Sequence, residues 1–62
     1  MVIKFECIIN GKRVDLIKYT IEDAKQFIRK CKYSKSVHII NYHCDDRETL
    51  EELFVYEERI YN

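Results

Sequence analysis

Asp45-Asp46-Arg47-Glu48-Thr49-Leu50-Glu51-Glu52-Leu53-Phe54-Val55-Tyr56-Glu57-Glu58-Arg59-Ile60-Tyr61-Asn62 is the stretch whose reading decides the fold of this 62-residue chain. As a helix it begins well. Asp45 takes the N-cap position, Glu48 follows three residues later, acids fill the first turn where the macrodipole favours them, and Leu50, Leu53 and Phe54 share a face. The second half is less regular. On the same wheel Ile60 and Tyr61 rejoin the apolar face, but Glu57 falls in its middle and Val55 falls opposite. As a strand the stretch is no cleaner, because Phe54, Tyr56 and Ile60 would point one way and Leu53, Val55 and Tyr61 the other. Between residues 44 and 53 there is no Gly or Pro to make the tight turn of a hairpin. A helix over residues 46–58 is therefore expected, with a fourth strand over 52–60 as the competing assignment.

The same stretch also organises the charge. Its seven acids, Asp45, Asp46, Glu48, Glu51, Glu52, Glu57 and Glu58, face only Arg47 and Arg59. Residues 1–44 hold nine Lys and Arg against Glu6, Asp15, Glu22 and Asp23, so the formal net charge of zero divides into halves of +5 and −5.

Upstream, Asn10-Gly11 between two alternating runs predicts a β-hairpin across residues 1–19, because a type I′ turn needs positive φ at both central residues. The turn sets the register. Ile9 faces Lys12, Cys7 faces Val14, Phe5 faces Leu16 and Ile3 faces Lys18, so Ile3, Phe5, Cys7, Ile9, Val14 and Leu16 line one side. Thr20 is a good N-cap for a helix from Ile21 to about Lys32, whose apolar stripe is Ile21, Ala24, Phe27, Ile28 and Cys31. Val37 to Cys44 (VHIINYHC), rich in β-branched and aromatic residues, reads as a third strand, running parallel to one of the hairpin strands. The expected fold class is α+β in the order β-β-α-β-α, as a single small domain over residues 1–62; the alternative is β-β-α-β-β.

If the first helix covers the Phe5 and Leu16 side, then Ile8, Ile17 and Tyr19, with Val37 and Ile39 or Ile40, form a second apolar surface. Leu50, Leu53 and Phe54 of the tail could cover it, or a second subunit could, and a homodimer is expected. The unpaired sheet edge offers strand addition as a further route to a partner. A 62-residue domain buries only about 60% of its unfolded surface, which makes help from a partner reasonable.

Composition narrows the function classes. With 47% hydrophobic residues and mixed charge signs the chain should fold. No apolar run approaches the roughly 18 residues of a membrane span, residues 1–10 lack the pattern of a signal peptide, and the protein is expected to be cytoplasmic. The odd set Cys7, Cys31 and Cys44 has no C-x-x-C spacing and fits reduced thiols. Ile, Lys, Asn, Tyr and Phe supply 27 residues against two for Gly, Ala and Pro together. That bias points to an AT-rich genome, and so to a bacteriophage or mobile element.

Candidate chemistry is sparse. Cys7, Cys31, His38, His43 and Cys44 are suitable zinc ligands, but they are not arranged in close pairs, and adjacent His43 and Cys44 point to opposite sides of a strand. Cys31 or Cys44 with His38 or His43 lacks an electropositive setting for a thiolate, and Asp45 and Asp46 would oppose one at Cys44. Gly11, the single glycine, is used by the turn, so no phosphate loop is present. No enzyme activity, metal or cofactor is expected. Two surfaces remain. Glu48, Glu51, Glu52 and Glu58 project from the tail helix as an acidic face fitted to a basic surface on a partner protein, such as a groove that otherwise holds nucleic acid. Lys25, Arg29 and Lys32 form a basic flank on the first helix that could meet DNA or RNA, with Tyr19, Tyr33 and Tyr42 available for stacking. The expected function is a small non-enzymatic protein-binding module, an inhibitor or adaptor docking on a host or defence protein. Nucleic-acid binding is the alternative.

Overall fold

The computed structural model describes residues 1–61. Their order is β1 (Ile3–Ile9), β2 (Lys12–Lys18), α1 (Ile21–Lys32), β3 (Val37–Cys44) and α2 (Arg47–Tyr61), an α+β fold in the expected β-β-α-β-α order. The Asn10-Gly11 turn has φ of 51° and 82°, and the hairpin register is the one the turn dictates, with Phe5 opposite Leu16 and Cys7 opposite Val14. β3 joins the free side of β1, giving the strand order β2-β1-β3 with both pairings antiparallel. It therefore runs in the same direction as β2, one strand removed. Asn10 N–H donates to the Ser36 carbonyl at 2.9 Å, tying the hairpin turn to the segment that leads into β3.

A β-bulge decides which residues of β3 face the core. Cys44 and Tyr42 pair with Ile3 and Phe5, but the register then shifts, so that Ile39 and Val37 pair with Cys7 and Ile9. The extra residue is Ile40. A bulge changes the parity of the side chains beyond it. Even-numbered Tyr42 and Cys44 thus share the inner face with odd-numbered Val37 and Ile39, and Ile40 is left 54% exposed. The expected second apolar surface is corrected accordingly, since Val37 and Ile39 lie on the inner face and Ile39 packs against the core. The outer face carries the Lys4–Asp15, Arg13–Glu6 and His43–Glu6 contacts at 3.5, 3.0 and 3.3 Å, with Ile8, Ile17 and Tyr19 among them.

Both helices pack on the inner face. The buried cluster is Ile3, Phe5 and Cys7 of β1, Ala24 and Ile28 of α1, Tyr42 of β3 and Leu53 of α2. A row of rings crosses it: Phe27 to Phe5 at 4.8 Å, Phe5 to Tyr42 at 5.2 Å and Tyr42 to Phe54 at 5.2 Å between centroids. These tilted contacts suit the ring quadrupoles and connect four of the five elements. α2 thus completes the same core that α1 covers.

The caps are local and polar. Thr20 Oγ1 accepts from Asp23 N–H at 3.1 Å, as expected of an N-cap. Thr20→Ala is expected to cost about 1 kcal/mol, read as a lower urea midpoint at unchanged slope; an unchanged midpoint would show the cap to be idle. At α2 the N-cap shifts by one residue from Asp45 to Asp46. The Asp46 carbonyl accepts from Leu50 N–H at 3.0 Å, and its carboxylate accepts from the buried Thr49 hydroxyl at 2.6 Å. Thr49 faces inward, and this bond satisfies its hydroxyl from the chain's own cap residue. The helix also runs on to Tyr61, beyond the expected end at 58.

Candidate functional site

α2 carries two different surfaces, and its wheel explains both. Leu53, Thr49, Tyr56, Ile60 and Glu57 turn toward the core, while Glu48, Glu51, Glu52 and Glu58 are exposed. Glu51, Glu52 and Glu58 border Val55, which is 49% exposed on the same outward side, with Arg59 at the fourth neighbouring position and Glu48 two turns earlier. Glu51 lies 3.7 Å from Arg47 one turn earlier, a contact between two well-exposed groups that contributes little. Glu48 and Glu58 make no ion pair among the described residues. The face is therefore acidic, held on a capped and packed helix.

Of the three basic candidates, α2 takes up two. Lys25 Nζ sits 2.9 Å from Glu52 and 5.4 Å from the Tyr56 ring centroid. Lys32 Nζ donates to the Ile60 carbonyl and lies 5.8 Å from the Tyr61 ring centroid, placing a cation at the C-terminal end of α2 where the helix dipole favours one. Arg29 is exposed and makes no ion pair among the described residues. The opposite charges of the two halves thus meet inside one molecule, along the α1–α2 seam.

Glu57, which interrupts the apolar face on the wheel, has a specific partner. Its Oε1 accepts from the Tyr42 hydroxyl at 3.1 Å, and Tyr42 is 5% exposed. Burial, then the Glu57 charge and the hydrogen bond, push the Tyr42 hydroxyl pKa well above its usual value, so the phenol stays a donor. Glu57 Oε2 makes no hydrogen bond among the described residues. Glu57 lines an open, shallow groove between β3 and α2 together with Ile39, Phe54, Glu58 and Tyr61.

The cysteines and histidines are dispersed. Cys7 and Cys31 are buried, and burial pushes the Cys31 thiol up to about 11, away from thiolate character. His43 pairs with Glu6 on the outer face while Cys44 faces inward. Among the described residues no three His, Cys, Asp or Glu side chains come together as a metal-binding group. Among the described residues no helix is long and apolar enough to cross a membrane.

No family model, curated protein or solved structure matches this chain. The surfaces must be read from their own chemistry.

Sequence reasoning places Glu48, Glu51, Glu52 and Glu58 together, and the structure does the same. It missed the groove. Phe54 is expected on the core face beside Leu53, yet it lies at the flank of the helix and is 47% exposed, with its ring 5.2 Å from that of Tyr42. Tyr61, expected on the same face, is 54% exposed. The one available signal is Glu57 itself, since a carboxylate on an apolar helix face needs a partner and a route to water.

Proposed function

We propose that this chain is a small non-enzymatic protein-binding module whose contact surface is the outward face of α2. The observation that supports this reading is the exposed set of Glu48, Glu51, Glu52 and Glu58 on the side of α2 that also carries exposed Val55, on a helix whose opposite side is locked into the core. An apolar centre ringed by charge resembles the anatomy of a protein contact, and a carboxylate-rich rim selects a basic partner and speeds encounter with it. Lys25 and Lys32, two of the three cations of the alternative nucleic-acid surface, are engaged by α2, while on the acidic face Glu52 answers Lys25 and Glu48 and Glu58 make no ion pair among the described residues.

The composition supports a phage or mobile-element source, and a small acidic module from such a source fits an inhibitor or adaptor that docks on a host or defence protein in the cytoplasm. Reversing Glu48, Glu51 and Glu52 to Lys is expected to abolish capture of a partner that the unmodified chain retains from host lysate. Circular dichroism should show the helices of the variant intact, because all three positions are exposed. Undiminished capture by the triple variant would sink the acidic-face reading. Retention on DNA or RNA that is lost with Lys25, Arg29 and Lys32 changed to Ala would replace it with the nucleic-acid one.

A further inference from the structure

We propose that the groove between β3 and α2 is a receptor for the guanidinium of an arginine on the partner protein. The inference rests on the reading of the chain as a protein-binding module and adds the chemistry of one contact. Ile39, Phe54 and Tyr61 form apolar and aromatic walls, and Glu57 and Glu58 place two carboxylates among them. Glu57 is half-buried, and its hydrogen-bond partner is the neutral Tyr42 hydroxyl rather than a cation. A partly desolvated carboxylate without a counter-charge is unfavourable alone and gains most from an incoming cation.

Arginine fits this setting better than lysine. Its planar fork can meet carboxylate oxygens in a bidentate manner and stack on aromatic faces, and it is more weakly hydrated than an ammonium. Phe54 and Tyr61 stand one helical heptad apart on the flank of α2, so both can border one side chain lying along the groove. The mode of docking is through side chains. Strand addition at β3 is hindered by the Ile40 bulge and by Asn41 Oδ1, which accepts the Tyr42 backbone N–H at 2.9 Å.

The test is a titration of the isotope-labelled protein with acetyl-Leu-Arg-Leu-amide, followed by nuclear magnetic resonance. Shifts are expected to concentrate on Ile39, Phe54, Glu57 and Tyr61. The peptide with citrulline in place of arginine, neutral but nearly isosteric, should bind at least tenfold more weakly. Glu57→Gln should produce a similar loss while keeping an oxygen to accept from Tyr42, so its fold should be intact, and Phe54→Ala should weaken binding as well. The proposal is overturned if citrulline binds equally, if Glu57→Gln has no effect, or if no shifts arise at millimolar peptide. It is also overturned by groove shifts that depend on protein concentration without peptide, which would make a second copy the occupant. Shifts confined to Glu48, Glu51 and Glu52 and lost in their triple reversal would remove the groove while leaving the acidic-face function standing.

Discussion

Phe5→Ala is expected to leave the protein without a cooperative folded state at room temperature. Phe5 is fully buried, and its ring meets Phe27 at 4.8 Å and Tyr42 at 5.2 Å, so it joins α1 to both strands of the β1–β3 pair. Truncating a buried phenylalanine costs about 3–5 kcal/mol through lost burial and the cavity left behind. At about 0.05–0.15 kcal/mol per residue, a chain of this length has about 3–9 kcal/mol in total. Against a total in the lower half of that range, where so small a domain belongs, the substitution removes most or all of the stability. Far-UV circular dichroism with a urea titration reads the outcome. Phe5→Leu, which keeps most of the volume, should cost only about 1 kcal/mol and remain folded. A Phe5→Ala protein with a near-normal urea midpoint would show that the row of rings is not the structural centre.

Stability is expected to fall steeply above about pH 9 and to be flat from neutral pH up to that point as far as these groups are concerned. Burial, first among the causes, raises the Cys31 thiol from 9.0 to about 11, with the neighbouring Cys7 adding to the shift. Tyr42 is raised from 10.0 by burial, the Glu57 charge and the bond to Glu57, and Cys7 is raised by burial and Asp15. In each case the folded chain holds its proton more tightly than the unfolded one. As pH passes the unfolded values, the unfolded chain releases protons that the native state retains, and the equilibrium moves toward unfolding. By pH 11 the Cys31 and Tyr42 contributions together amount to a loss on the order of 3 kcal/mol. Urea midpoints measured from pH 7 to 11 should show the decline, and Cys31→Ala should make it shallower relative to its own neutral-pH value. A flat profile to pH 11 would mean that these groups are not buried as described.

Much of the fold can be read from short segments because their signals are local. Asn10-Gly11 needs only its own φ preferences to set the hairpin register, and Thr20 needs only Asp23 to start α1. The apolar start of α2 is legible at Leu50 and Leu53 for the same reason. The acidic face is equally legible, because helical periodicity alone brings Glu48, Glu51, Glu52 and Glu58 to one side. What periodicity cannot show is whether such a face is answered elsewhere in the chain. The second half of α2 looks irregular on a wheel in part because Glu57 has a partner, Tyr42, that the wheel does not contain.

By itself the sequence determined the order of elements, the hairpin register, the first helix with its cap and the separation of charge between the two parts of the chain. These follow from steric preferences, periodicity and nearest-neighbour hydrogen bonds, all of which act within a few residues. Tertiary structure decided the rest: the bulge at Ile40 that turns Val37 and Ile39 inward, the pairing of Lys25 and Lys32 with α2, and the bond from Tyr42 to Glu57. Each depends on groups from separate elements meeting in a low-dielectric interior, where an unpaired charge or hydroxyl is expensive. The tail runs as a helix to Tyr61 with Glu57 bonded to Tyr42 and the Ile60 carbonyl bonded to Lys32, and those contacts lie outside anything its own eighteen residues encode.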